Sequence, residues 1–207
     1  MSLQFTDPEV SKRKFNREIA EYNALGEDYR RRGWFLVQAE FPKVMIVLAT
    51  PQLTPAAVVM GVSLDYLNYD ASPPSVRIVN PFTGEPYKMR ELPSQLHRAL
   101  PQQDLSLQGL PHVPGFAAKP RMMIQPIQPY MQAYGPEEIP FLCIAGVREY
   151  HENPAHSGDI WELHRSQGAG KLVRIIEIIA KYGVEPITGF GVQLVPQVTL
   201  SFGQPPA

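Results

Sequence analysis

Cysteine is almost missing from this chain. Cys143 is the only one in 207 residues, so no internal disulfide framework can staple the fold, and a reducing cytoplasm is the expected compartment. An excess of one charge is missing as well. Nineteen Lys and Arg stand against twenty Asp and Glu, for a formal net charge of -1, which argues against nucleic acid or an anionic membrane as the dominant partner. The one basic cluster, Arg30-Arg31-Arg32, reads first as the charged last turn of a helix, with a phosphate site as the alternative. No apolar run approaches the ~20 residues of a membrane span, and the opening MSLQFTDPEV has no signal-peptide core. No internal repeat is visible. The length suits a single domain over residues 1–207 with a real core.

What the chain has in quantity is proline, 22 residues of it, and proline divides the sequence. The first 32 residues read as one helix. Asp7-Pro8-Glu9 is a start signal, Phe15, Ile19 and Tyr22 form a stripe at i, i+4, i+7, and Gly33 ends it. Trp34 to Phe41, Val44 to Ala49 and Ala57 to Leu64 are short, rich in β-branched residues and separated by proline-containing turns, as consecutive strands of an antiparallel meander would be. Pro73-Pro74 forbids helix and interrupts any ladder, after which Ser75 to Val79 re-enters as a strand.

From about 81 to 140 the chain is proline-rich and irregular, too long for an ordinary loop. Leu92, Leu96, Leu100, Phe116, Met122, Met123, Ile124 and Tyr130 mark it as an ordered insertion wrapped on the domain. Phe141 to Ala145 is strand-like. Lys171 to Tyr182 is a helix with Leu172, Ile175, Ile176 and Ile179 on one face and Gly183 as its stop. Gln197 to Phe202 is strand-like again. The expected class is α+β.

The chemistry concentrates in FLCIAGVREYHENPAHSGDIWELHR, residues 141–165, which holds Cys143, Glu149 and three of the five histidines, His151, His156 and His164. An imidazole close to a thiol favours its thiolate, the form that acts as nucleophile. A buried, inert thiol is the simpler alternative for a lone cysteine in an apolar run. His151 and His156 are separated by Asn153 and Pro154, so they cannot share one face of a continuous helix, and HENPAHSGD is expected to be a surface loop. Cys143, Glu149, His151 and His156 are also ligand types for a tetrahedral zinc. Turn-capping surface histidines are the plainer possibility. Asn153 is either a turn opener or an amide donor to a developing oxyanion. Asp159 is expected to cap the helix of WELHR, Trp161 to be buried, and Arg165 to pair with an acid.

Two resemblances follow from these motifs. The helix, the meander and YDASPPSVRIVNP, covering roughly residues 7–80, resemble the ubiquitin-conjugating (UBC) fold. Tyr69, Pro73, Pro74, Val76 and Ile78 match its Tyr-Pro-x-x-Pro-Pro-x-Val-x-Phe stretch, and Asp70 stands where that family usually has proline. Cys143, Glu149, His151 and His156 match, in type and order, a bacterial family described as a predicted CEHH metal-binding domain. Members of that family are associated with operons for ubiquitin-like modifiers, an activating enzyme and a JAB-type peptidase, the Bil antiphage systems among them. Two departures stand out. The His-Pro-Asn motif that precedes the cysteine in eukaryotic UBC enzymes is absent before Cys143, with His151-Glu152-Asn153-Pro154 after it instead, and the stretch between Pro-Pro and cysteine is longer than usual.

The UBC resemblance implies a UBC-like α+β domain that carries a ubiquitin-like modifier as a thioester on Cys143 and passes it to a target amine, without a cofactor, and the operon association of the CEHH resemblance implies a setting in bacterial antiphage defence. Its partners would be the modifier, the activating enzyme and the target protein. Under that expectation His151, His156 or Glu149 assists deprotonation and Asn153 the oxyanion. The CEHH resemblance implies a non-catalytic zinc adaptor on Cys143, Glu149, His151 and His156. A UBC-like domain with binding function alone is the third possibility.

Overall fold

The computed structural model describes residues 4–106 and 121–191, and these form a mixed α+β structure. The chain starts with helix α1, Pro8–Ala24. The Asp7 carboxylate accepts the Glu9 N–H at 2.9 Å, and Pro8 occupies the first turn, where no N–H is needed. The single helix expected over the first 32 residues is in fact two. The chain breaks at Leu25 and resumes as α2, Gly26–Arg31. The break turns Tyr29 back so that its ring lies 4.8 Å from Tyr22 and 5.0 Å from Trp34. A buried aromatic cluster outweighs the marginal gain of one more continuous turn. The arginine cluster is engaged within the fold: Arg31 pairs with Asp28, while Arg32 reaches Glu185 at 3.3 Å and lies over the Trp34 ring at 4.0 Å.

Gly33 then reverses the chain with φ +83. A Cβ there would sit 2.3 Å from the Ala49 carbonyl oxygen, so only glycine fits. Strands β1 (Trp34–Glu40), β2 (Lys43–Thr50), β3 (Ala57–Asp65) and β4 (Ser75–Val79) follow as an antiparallel sheet in the order β1-β2-β3-β4, the meander expected from the sequence. Alternate residues of β2 to β4, among them Ile46, Leu48, Met60, Val62, Leu64, Val76 and Ile78, join Phe15 and Tyr22 of α1 in one core. The last described helix, Leu172–Gly183 (α5 in chain order), closes it. Leu172, Ile175, Ile176 and Ile179 are each 0% exposed, the predicted face. The helix runs through Gly183 instead of stopping before it. A Cβ at Gly183 would lie 2.9 Å from Leu96 Cγ, so the missing side chain makes room for that leucine.

The proline-rich insertion is more regular than predicted. β5 (His97–Ala99) pairs with β8 (Ile127–Pro129), and β6 (Gln103–Ser106) pairs with β7 (Arg121–Ile124), all antiparallel. Leu96 and Met131 are buried and fasten the insertion to the core, while Met123 stands exposed. β9 (Met131–Gln132) pairs with β10 (Phe141–Leu142). Phe116 and the strand predicted at Gln197 to Phe202 lie outside the described residues. Among the described residues no helix is long and apolar enough to cross a membrane.

One buried carboxylate ties the two long helices together. Glu18 of α1, 1% exposed, accepts the Leu172 N–H at 3.1 Å and the Tyr69 hydroxyl at 3.4 Å. Burial pushes its carboxyl above the ordinary value, against the opposing pull of the Leu172 N–H. A carboxyl raised in the folded state favours folding when protonated, and that contribution is lost as pH rises through the folded pKa. Glu18→Gln, a mimic of the protonated form, is therefore expected to melt above the wild type at neutral pH, and the gap should close on acidification. Thermal melts at the two pH values check this. A variant less stable than wild type at neutral pH would contradict it.

Candidate active site

β10 delivers Cys143. The strand pairs with β9, and the Cys143 N–H donates to the Tyr130 carbonyl at 2.7 Å. Regular strand ends at Leu142, three residues short of the predicted Ala145. The chain then turns tightly past Gly146, where a Cβ would lie 2.0 Å from the Ala169 carbonyl oxygen. It enters a short helix, α3 (Arg148–Glu152). The Arg148 N–H donates to the Pro74 carbonyl at 2.9 Å, and its guanidinium donates to Pro73 O at 3.2 Å and Leu67 O at 2.6 Å. The Pro-Pro segment is thereby stapled to the segment that follows the cysteine.

Pro154 cannot continue α3. Asn153 instead opens a 3₁₀ turn, Pro154–His156, its Oδ1 accepting the Ala155 N–H at 2.9 Å. The stretch predicted as an open loop is thus two short helical turns with a break between them. That break swings His156 back onto the thiol, and its Nε2 lies 3.5 Å from Cys143 Sγ. The imidazole stacks on Tyr150, with ring centroids 4.0 Å apart at 20°. The Tyr150 hydroxyl donates to Asp159 Oδ2 at 2.7 Å, and Asp159 Oδ1 is 2.5 Å from His164 Nε2.

The electrostatics follow the contacts. Cys143 is half-buried, and burial pushes its thiol above the ordinary value. The resting group is therefore the thiol, and the adjacent imidazole is the base that can take its proton on attack. Tyr150 is pushed up to about 12, by burial first and then by the Asp159 carboxylate. Asp159 is held below its usual range by the hydrogen bonds from Tyr150 and His164.

His151 points its two nitrogens elsewhere. Nδ1 is 2.8 Å from the Asp159 carbonyl oxygen and Nε2 is 2.7 Å from the Ala145 carbonyl oxygen. Both partners are backbone carbonyl oxygens, so the ring can engage them only as a donor. His151 is a brace between the cysteine segment and the Asp159 turn. Glu149 faces β4, where its carboxylate accepts from the Ser75 hydroxyl and the Val76 N–H (3.2 Å) and pairs with Arg77 at 3.2 Å. Of the five residues singled out in the sequence, Cys143 and His156 are brought together, while Asn153, His151 and Glu149 are engaged with the backbone and strand around them. For all four CEHH side chains to bind one zinc, Glu149 and His151 would have to leave these partners. Among the described residues no three His, Cys, Asp or Glu side chains stand close enough to hold a metal ion.

One further expectation changes and two hold. Asp159 is not a helix cap. The last short helix, α4 (Glu162–Arg165), starts after Trp161 with no side-chain cap, and Asp159 binds Tyr150 and His164 instead. Trp161 is buried as expected and donates its Nε1–H to the Asp70 carbonyl at 2.8 Å, and Arg165 pairs with the Asp70 carboxylate at 3.0 Å. Burial works to raise the Asp70 carboxyl, but Lys14 and Arg165 outweigh it and hold the group low. Asp70 therefore anchors the turn that precedes Pro73-Pro74. Tyr150 and His164 were missed as site residues. Tyr150 lies in the same window, but its spacing from His156 spans the helix break and carries no periodic signal.

The family description that matches residues 6–187 is the Y4jH family, Y4jH-like. That stretch runs from the residue before the α1 cap to beyond α5 and includes the whole site. The chain belongs to the Y4jH-like family. A relative from Sinorhizobium fredii (strain NBRC 101917 / NGR234), "Uncharacterized protein y4jH", is 40% identical over 192 residues, covering 89% of this chain and 87% of its own length. The family match thus spans the positions of the meander, of Pro73-Pro74 and of Cys143 and His156.

Proposed function

We propose that this Y4jH-like protein is a ubiquitin-like-modifier conjugating enzyme with a UBC-like fold, carrying the modifier as a thioester on Cys143. The observation that carries this is the 3.5 Å approach of His156 Nε2 to Cys143 Sγ. Support comes from the helix-then-meander order and from Arg148, which joins Pro73-Pro74 to the cysteine segment. In charging, His156 takes the thiol proton as sulfur attacks the thioester carbonyl offered by an activating enzyme, whose own thiolate leaves. In transfer, a target amine attacks the new thioester, an amide bond forms, and the Cys143 thiolate departs while the amine proton passes to the imidazole or to solvent. The stored thioester makes further ATP unnecessary. Asn153, His151 and Glu149 serve by shaping the turn and bracing the segments around the pair. The setting is a bacterial antiphage conjugation operon, in the cytoplasm, with modifier, activating enzyme and target protein as partners.

The two histidines separate on mutation. His156→Ala should slow charging by about a hundredfold or more, the ordinary worth of a positioned base, with the melting temperature near that of wild type. His151→Ala should lower the melting temperature, because it leaves two carbonyls unpaired. Single-turnover charging rates and thermal melts of both variants test this. Wild-type charging by His156→Ala would remove the imidazole from the mechanism.

A further inference from the structure

His156 is a poor candidate to hold itself in place. It ends the three-residue 3₁₀ turn between exposed Ala155 and Ser157, and among the described residues the one hydrogen-bond contact of its imidazole is the long one to sulfur. What fixes its plane is the Tyr150 ring beneath it, 4.0 Å away and 20° from parallel. That ring is fixed in turn. Its hydroxyl is bonded to Asp159 Oδ2 at 2.7 Å, the other oxygen of Asp159 meets His164 at 2.5 Å, and the Asp159 carbonyl faces His151 Nδ1 at 2.8 Å. His151 then closes the circuit at Ala145, two residues from the thiol. The links from Tyr150 and His151 to Asp159 tie α3 to the segment after His156, the link from His151 to Ala145 ties α3 to the cysteine turn, and the Asp159–His164 contact braces the far segment.

We propose that Tyr150 is the positioning residue of this site, a platform anchored by Asp159 that sets the His156 imidazole against the Cys143 thiol. In this role it acts through the imidazole. The assignment rests on Cys143 and His156 being a reactive pair. It adds that the pair is formed by an aromatic stack and not by a carboxylate bonded to the imidazole itself.

The test uses the full chain and iodoacetamide, which reads Cys143 alone because there is no second thiol. Tyr150→Ala is expected to slow alkylation at neutral pH about tenfold, because the imidazole no longer sits where it can take the thiol proton. It should also remove the ring-current shift of the His156 ring protons in the NMR spectrum. Tyr150→Phe keeps the stack, so it should retain that shift and recover most of the rate. Its remaining deficit, at most about fivefold for one hydrogen bond, should match that of Asp159→Asn, and the double variant should be no slower than either single one. If Tyr150→Ala does not fold, the Phe, Asn and double variants decide alone. Additive deficits in that cycle, or wild-type rate and unchanged His156 shifts in Tyr150→Ala, would overturn the assignment. Unchanged alkylation in His156→Ala would instead show that the pair itself is not reactive, a separate failure.

Discussion

Cys143→Ser should convert a fast, reducible adduct into a slow one that resists reductant, and Cys143→Ala should give no adduct. An alkoxide is far harder to form than a thiolate, so the serine variant depends more heavily on His156 to take its proton. The oxyester it forms is a poorer acyl donor than a thioester, so discharge to an amine should slow more than charging does. Neither substitution should disturb the fold: the side chain is half-buried, and the group that anchors the residue is its backbone N–H on Tyr130. Charging assays on purified variants, run with and without reductant, read both effects. A Cys143→Ser protein that charges and transfers like wild type would eliminate the sulfur from the chemistry.

The second large effect lies in the core. Truncating Ile175, Ile176 or Leu172 to alanine should each cost about 2–5 kcal/mol, the transfer of the deleted atoms plus the cavity left behind. All three are fully buried in the core, and the helix they belong to donates its first N–H, that of Leu172, to the Glu18 carboxylate of α1. Loosening this helix also loosens Gly170 and Ala169, which pack on Pro74 and Gly146 at either side of the site. The variants should therefore lose charging activity at a temperature below their own melting point, before global unfolding. Denaturant titrations measure the cost. A loss under about 1 kcal/mol at all three positions would mean that the face is far less tightly packed than its burial indicates.

The difference between what the sequence shows and what it hides is physical. The meander and the last helix were legible because their burial is periodic. Val44, Ile46 and Leu48 alternate along β2, and Leu172, Ile175, Ile176 and Ile179 repeat at helical spacing, each pattern set by local geometry alone. The break at Leu25 was not legible, since it is decided by Tyr29 meeting Trp34 and Tyr22, a tertiary contact. The ribbon inside the proline-rich stretch was hidden because strands such as His97–Ala99 lie wholly exposed and show no alternation.

The site divides along the same line. The composition of residues 141–165 marked the right window and the right thiol. Which histidine reaches the sulfur depended on where the chain bends. Pro154 and the Asn153 cap turn His156 inward, while the helical direction of α3 carries His151 toward two carbonyls and Glu149 toward β4. Asp159 read as a cap because Asp before a short helix usually is one. Its actual partners, Tyr150 and His164, come near only once α3 and α4 are placed.

The most direct measurement is intact-mass analysis of the wild-type protein after incubation with the cognate activating enzyme, its ubiquitin-like modifier and ATP, run in parallel on a non-reducing gel. The predicted result is one modifier added per chain at Cys143, released by reductant or hydroxylamine, and lost to a supplied amine with formation of an amide. Absence of any ATP-dependent adduct under conditions where the activating enzyme itself is charged, or an adduct that persists in Cys143→Ala, would contradict the account.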